Sequence, residues 1–251
     1  MAGMSNWWED PRIALAAFAE DQQPGSQIVV SRVGPSGWLG ASPADTARDP
    51  TLQTAAPARW VFGQIDGVGV NWGDVLLEVF NAPFTVAAAI ELGPQIVDHM
   101  EVPIVSKFFP GLNGIELYAV SGDESLPGNW LLANVKFGGE AIPQWNNYDT
   151  IDSGTTLHEG RHTVGWTYDW SRERGSRHAL WVNGAPDERV AQHAYGVEAP
   201  VATRGHVQFA GTLGGGSTNL MAGSVVAVAR GVMDNAWHAA FHADLTAGGW
   251  R

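Results

Sequence analysis

His158-Glu-Gly-Arg-His162 spells the H-E-x-x-H string of zinc proteases. That chemistry needs both imidazoles on one face of a helix, at i and i+4, with the glutamate as general base. Here Gly160 interrupts the pentad and a strand-like alternation starts at His162, so the string reads as a loop running into a strand. Asp152-Ser-Gly-Thr-Thr156 matches the Asp-Ser/Thr-Gly loop of aspartic proteases, whose reaction needs two such aspartates sharing a proton. The chain has one copy, which reads as a turn. Glycoside hydrolysis needs two carboxylates flanking the scissile bond, roughly 5 Å or 6.5–9.5 Å apart. Glu116 is a lone acid on its strand. His238 and His242, at i and i+4 on a late helical stretch, lack a carboxylate at position 239 and read as surface or capping histidines. No catalytic residue is assigned, and the chain is expected not to be an enzyme.

Binding chemistry remains. A tryptophan face stacks on a sugar ring while polar neighbours take its hydroxyls. Of 12 tryptophans, those in loop-like surroundings are Trp72 in Asn71-Trp-Gly-Asp74, Trp130 after Pro127-Gly-Asn129, Trp145 in Gln144-Trp-Asn-Asn147, and Trp170. With Asn146 they form the candidate carbohydrate-binding set. Trp166 and Trp181 lie in strand patterns and are expected in the core.

Composition narrows the classes. The absence of cysteine in 251 residues excludes disulfides and cysteine zinc sites. A net charge of −12 lacks the basic footprint of a nucleic-acid binder. Hydrophobic residues at 45% can fill a large core, and all-β domains often reach roughly 200–250 residues as one unit. The opening Met1-Ala-Gly-Met-Ser-Asn-Trp-Trp-Glu-Asp10 has no signal-peptide pattern, and no apolar run is long enough to span a membrane.

The elements that must position these residues fall into three parts. Residues 1–20 are expected to hold an amphipathic helix, with Pro11 at its first turn and Ile13, Ala14, Ala17 and Phe18 on one face. Residues 21–59, rich in Gly and Pro, read as an extended arm with one strand at 27–33. From residue 60 to 251 short alternating runs recur between turn residues, the pattern of a sandwich or barrel. They include 84–90, 104–108, 114–120, 130–137, 162–168, 179–183, 206–210 and 221–229. One helix follows, capped by Asp234, with Trp237, Phe241 and Leu245 on one face.

The order of these pieces resembles a known family. Phe62-Gly-Gln-Ile-Asp-Gly-Val68, Pro83-Phe-Thr-Val-Ala-Ala-Ala-Ile90, Pro103-Ile-Val-Ser-Lys107 and Gly114-Ile-Glu-Leu-Tyr118 come first. His162-Thr-Val-Gly-Trp-Thr-Tyr-Asp169, Ala179-Leu-Trp-Val-Asn-Gly184 and 223–235 follow. Over about 60–248 the chain looks like a LamG-type, concanavalin A-like lectin-glucanase domain. The resemblance implies an all-β fold, an antiparallel β-sandwich jelly roll, here with an N-terminal helix and arm. The glucanases of this superfamily carry a Glu-x-Asp-x-Glu strand, which this chain lacks. The resemblance also implies a structural calcium held by loop oxygens, with Asp149 and Asp152 as its candidate ligands; otherwise no cofactor is expected.

A lectin-like domain without cysteine or secretion signal fits a bacteriophage virion protein, a minor tail or capsid accessory subunit that reaches the outside by lysis of the host in whose cytoplasm it is made. The first ten residues are similar to the openings of actinobacterial phage virion proteins. On this reading Trp7, Trp8, Ile13 and Phe18 anchor the chain to the particle. The partners are other virion proteins, further copies of itself as a homotrimer, and host-surface glycan, with no nucleic acid and no membrane insertion. A free lectin and a glycoside hydrolase are the alternatives.

Overall fold

Strand alternation, read through the cross-strand register, places nearly every side chain on one of three layers. The computed structural model describes residues 6–42, 44, 46, 49–62, 69–93, 101–108, 114–121, 129–136, 148–173, 175–187, 191–195, 205–210 and 221–248. Among the described residues, two antiparallel sheets of nine strands each form an all-β sandwich, as the fold-class expectation had it. Sheet I runs Ala185–Pro186, His178–Val182, Gly160–Tyr168, Phe84–Leu92, Met221–Arg230, Ile13–Phe18, Ser31–Val33 from edge to edge; Arg59–Val61 and Thr51–Gln53 extend from Met221–Arg230. Sheet II runs Ala191–Tyr195, Tyr148–Asp152, Asn129–Lys136, Gly114–Ser121, Glu101–Phe108, His206–Phe209, Val70–Asn71, Gly37–Leu39, Ile28–Val29.

The main core lies between the sheets. Val86, Ala88, Ile90, Val164, Trp166, Val226 and Val228 of sheet I meet Val105, Leu117, Ala133, Ile151, Val207 and Phe209 of sheet II. Asn183-Gly184 makes a tight hairpin of the kind its residue types suit: Val182 pairs with Ala185, and the two central residues take φ of 52° and 78°.

The outer face of sheet I is covered by the helix Asn235–Ala247, whose N-cap Asp234 accepts a hydrogen bond from the Trp237 amide. The strands beneath it are built for that contact. Ala16, Ala227, Ala87 and Gly165 stand opposite one another across four strands, a floor without bulk. Ala87, Ala89, Val225, Ala227 and Ala229 join Trp237, Phe241 and Leu245 in a second core. A Cβ on Gly165 would lie 2.5 Å from the His238 ring, so the helix approaches the sheet closely there. Gly165→Ala is therefore expected to cost about 1–3 kcal/mol by overpacking, read as a lower urea midpoint; an unchanged midpoint would show that the helix yields freely.

The N-terminal expectations need correction. Residues 13–18 form a strand of sheet I, paired with Met221–Arg230 on one side and Ser31–Val33 on the other. Only Trp7–Glu9 is helical in the described part of 1–20, as one 3₁₀ turn. The arm expected over 21–59 is also part of the sandwich, supplying strands to both sheets. Trp7, Ile13 and Phe18 are buried in the second core with Trp8 packed against it, so these four are not a free anchor. Arg32 caps this cluster, stacking 3.7 Å over Phe18 and 5.0 Å from Trp8 while paired with Glu20 and Asp21. Among the described residues no helix is long and apolar enough to cross a membrane.

Candidate functional site

Directly opposed residues of an antiparallel pair share a face, so register carries a face assignment from strand to strand. On sheet II this traces a row away from the core. Ile28 opposes Trp38, Trp38 opposes Asn71, Asn71 opposes Gln208, and Gln208 opposes Ser106. Ser106 opposes Glu116, Glu116 opposes Asn134, and Asn134 opposes Thr150. Their chain neighbours Val29, Leu39, Val70, Phe209, Val105, Leu117, Ala133 and Ile151 point the other way, into the main core.

Six polar residues thus lie outside the core, yet each is at least nine-tenths buried, from 0% exposed at Asn71 to 9% at Glu116. Larger side chains on the same face flank them. Tyr118 and Leu132 form the next row, and Val120 and Trp130 the row beyond. Trp38, His206, Trp130 and Leu132 are half-buried.

Part of the row's hydrogen-bonding capacity is spent internally. Asn134 Nδ2 donates to Tyr118 Oη at 2.7 Å, and Gly73 N donates to Asn71 Oδ1 at 2.8 Å. Asn71 Nδ2 lies 3.1 Å from His206 Nδ1, whose ring packs edge-on to Trp38 with centroids 6.1 Å apart. On this row three buried atoms have no hydrogen-bond partner: Trp38 Nε1, Asn134 Oδ1 and Thr150 Oγ1. Buried polar groups are normally bonded to protein or water, so an unpartnered donor and two acceptors on one row mark a place where a polar ligand or water completes the set.

An ion pair between a buried lysine and a half-exposed aspartate braces this sheet. Lys107 extends from the core side of Glu101–Phe108, and its Nζ donates to Asp74 Oδ1 at 2.6 Å and to the Gly205 carbonyl at 2.7 Å. Burial pushes the Lys107 ammonium below its usual range, while the lysine hydrogen bond holds Asp74 below the usual carboxylate range. The pair ties the segment after Asn71 to the residue before His206, and so holds the Asn71–His206 contact in place.

The expected site residues are dispersed. Trp130 lies on this face, at the second position of a strand rather than in a loop. Trp72 is 2% exposed, in the main core, with Nε1 donating to Ser31 Oγ; it presents no ring to a sugar. Trp170 packs against the main core, half-buried. Trp145 and Asn146 lie outside the described residues.

Asp149 and Asp152 do not converge on one point. Three positions apart on one strand, they leave it on opposite faces. Asp149 accepts hydrogen bonds from Tyr168 Oη at 3.0 Å and Arg177 Nη1 at 2.9 Å, and this burial beside a carboxylate pushes the Tyr168 phenol above its usual range. Among the described residues no cluster of three metal-ligating side chains occurs.

Neither protease-like string is helical. The strand Gly160–Tyr168 starts inside the H-E-x-x-H string, where His162 Nε2 lies 2.8 Å from the His158 carbonyl, and Ser153, just after the strand Tyr148–Asp152, closes a turn with its Oγ onto the Thr155 carbonyl at 3.1 Å. His238 departs from expectation: it is 2% exposed and stacked on Trp181 at 4.0 Å, while His242 Nδ1 sits 2.9 Å from Thr163 Oγ1.

Sequence reasoning missed Trp38, Asn71, Gln208, Ser106, Asn134 and Thr150. Their signal is polar residues alternating with apolar ones, as in Gly114-Ile-Glu-Leu-Tyr-Ala-Val120; their union across six strands is not sequential.

No family model matches the chain, and no curated protein matches it. Solved structures do. Trypanosoma rangeli sialidase in complex with sialic acid superposes with a TM-score of 0.61 at 12% identity, over 96% of this chain and 34% of that one. The binding domain of botulinum neurotoxin DC in complex with SialylT gives 0.63 at 10% identity, over 94% of this chain and 52% of that one. A structure of botulinum neurotoxin type C, whose cell entry depends on interaction with two ganglioside molecules, gives 0.62 at 11%, over 93% of this chain and 51% of that one. The chain thus spans about a third of the sialidase and half of the toxin domains, and the likeness at these identities establishes a shared sandwich fold.

Proposed function

We propose that this chain is a non-enzymatic glycan-binding module whose ligand lies on the outer face of sheet II. One observation carries the reading: a buried polar row outside the core, holding an unpartnered donor at Trp38 and unpartnered acceptors at Asn134 and Thr150. Sugar hydroxyls both donate and accept, so one ligand class serves all three, and the half-buried rings of Trp38 and Trp130 supply the stacking that a sugar ring needs. The solved complexes of the sandwich neighbours with sialic acid and SialylT lend support, although those proteins are longer. The non-enzymatic part rests on the row's single acid, Glu116, where hydrolysis asks for two.

Display of this module on a bacteriophage virion, after synthesis in the host cytoplasm, remains the biological setting proposed from the sequence, with other virion proteins and copies of itself as partners. Attachment would use a surface other than Trp7, Ile13 and Phe18, which the chain's own core consumes.

A glycan array followed by calorimetry tests the binding. Trp38→Ala and Thr150→Val are expected to weaken the best array hit by roughly tenfold or more, about 1.4 kcal/mol. Thr150→Val exchanges an unbonded hydroxyl for a methyl of like shape, so its folding stability should be unchanged or raised. An array without any hit, or variants that bind like the parent, would overturn the reading.

A further inference from the structure

We infer that a cleft on the outer face of sheet I binds a small zwitterion, an α-amino acid with an apolar side chain. The cleft lies on the other sheet from the polar row and does not depend on it. The helix Asn235–Ala247 covers the face only in part. Gly165 and Trp181 oppose each other beneath its first turns, with the His238 ring against both. Two residues along the strands, Thr167 and Ala179 oppose each other. They floor a cleft of about 440 Å³ between the N-terminal end of the helix and the turn that joins Tyr168 to His178.

Both walls are fixed in place. Thr85 Oγ1 donates to the Gly231 carbonyl at 2.9 Å and accepts from the Met233 amide at 3.0 Å, which holds the segment leading into the helix. In the turn, Asp169 Oδ1 accepts from Ser171 N at 3.1 Å and Ser171 Oγ at 2.6 Å, and its Oδ2 accepts from Arg172 Nε at 3.1 Å. Arg177 Nη1 donates to Asp149, and its Nε donates to the Arg172 carbonyl. Walls set before a ligand arrives lose less freedom when it binds.

The capacity left over selects the ligand. Thr167 is 3% exposed and lines the cleft, yet its Oγ1 has no hydrogen-bond partner among the described residues. A buried hydroxyl normally has one. Arg172, at the mouth, spends only Nε on Asp169, which leaves both terminal nitrogens as donors for a carboxylate. On the opposite wall Asp234 Oδ1 is taken by the Trp237 amide, and Oδ2 remains as an acceptor. Arg12, within electrostatic reach of Asp234, is already forked onto Asp10.

One wall thus presents a cation and the other an anion. A lone anion would meet Asp234 and the net charge of −12, and a lone cation would meet Arg172. A zwitterion satisfies both walls and is neutral as a whole: its carboxylate faces Arg172 and the Thr167 hydroxyl, and its ammonium faces Asp234. Ala179, Val232 and Met233 give its side chain an apolar bed. The volume falls in the range of small-molecule sites, roughly 300–1,000 Å³.

Calorimetry on the full chain at pH 7 tests this, with L-leucine, L-methionine and L-phenylalanine as probes. N-acetyl-L-leucine keeps only the carboxylate, and L-leucine amide only the ammonium. At least one amino acid should bind, and the blocked forms should bind at least about tenfold more weakly than leucine. Arg172→Gln and Asp234→Asn should each weaken the amino acid by about tenfold or more, and Thr167→Val by roughly threefold. Asn caps a helix as well as Asp does, so Asp234→Asn should keep the parent urea midpoint; if its midpoint falls, the surface variant Arg172→Gln decides. Three results overturn the inference: no amino acid binding at up to about 10 mM, blocked forms that bind as tightly as leucine, or an Arg172→Gln protein that binds like the parent. None of them bears on the polar row of sheet II.

Discussion

Between pH 7.5 and pH 5 the unfolding free energy is expected to fall by about 2–4 kcal/mol, through two buried histidines. His178 and His238 are 6% and 2% exposed. Burial pushes each down to about 3, with the nearby Arg177 charge adding to the effect at His178. His178 Nδ1 also accepts a hydrogen bond from Trp166 Nε1 at 3.1 Å, which protonation would break. Above the ordinary histidine value of about 6.5 both rings are neutral, folded or unfolded, and no penalty exists. Below it the unfolded chain binds protons that the folded chain refuses, so stability falls by up to about 1.4 kcal/mol per pH unit per histidine as pH descends toward 3. The carboxylates held low by their partners, Asp10, Asp74 and Asp169, begin to act only below about 4, leaving the upper window to the histidines. Urea unfolding across pH 7.5 to 5 measures the slope. A His178→Asn, His238→Asn double variant should be less stable at pH 7.5 and should lose most of the slope, the remainder belonging to His242, which burial also holds below the usual histidine range. A slope that survives both substitutions undiminished would show that other groups carry it.

Much of the sandwich is legible in the sequence because its strands bury one face and leave the other to alternate. Gly114–Ser121 reads so: Ile115, Leu117 and Ala119 face the core, and Glu116 and Tyr118 face away. Asn183-Gly184 and the Asp234 cap were legible for a different reason, since local backbone geometry there demands those residue types. The failure at Ile13–Phe18 is equally physical. The whole strand is buried, Leu15 and Ala17 in the main core and Ile13, Ala16 and Phe18 under the C-terminal helix. With both faces apolar the period of two disappears. A bulge between Ile13 and Leu15 then shifts the pattern further, and the remaining spacing imitates a helix. Trp38 was hidden by its neighbours: Gly37 and Gly40 read as linker, whereas Gly37 is there because a Cβ would lie 2.8 Å from Trp72 Nε1.

The candidate site was less legible than the fold. Its members come from seven strands whose order in the sheet is not their order in the chain, and each contributes one side chain. Loop tryptophans looked like the binding elements because loops usually carry function. The register instead gathers the polar row on the body of a sheet, where Trp38 and Trp130 border it and Trp72 is spent on the core.

Removal of residues 1–20 is expected to abolish cooperative folding, and Trp7→Ala alone to lower the melting temperature by roughly 6–20 °C. Were the N-terminus a free anchor, the remaining domain would fold without it. But Ile13–Phe18 lies inside sheet I, so its loss strips Met221–Arg230 of a partner and severs Ser31–Val33 from the sheet. Trp7 is 2% exposed and touches Trp8, Phe18, Trp237 and Phe241, with ring centroids 4.8–5.8 Å apart. Its carbonyl also accepts from Trp237 Nε1 at 3.3 Å. Truncating so large a buried ring costs about 3–5 kcal/mol, against a total stability of about 5–15 kcal/mol for a typical domain. Thermal melting of Trp7→Ala and of residues 21–251, with gel filtration of the latter, measures both effects. A truncated chain that stays monomeric and melts cooperatively near the parent temperature would mean that the strand adds little to the sheet and restore the N-terminus as a detachable arm. Trp7→Ala separates the two roles, because it leaves every strand in place and removes only the ring that joins the first residues to the C-terminal helix.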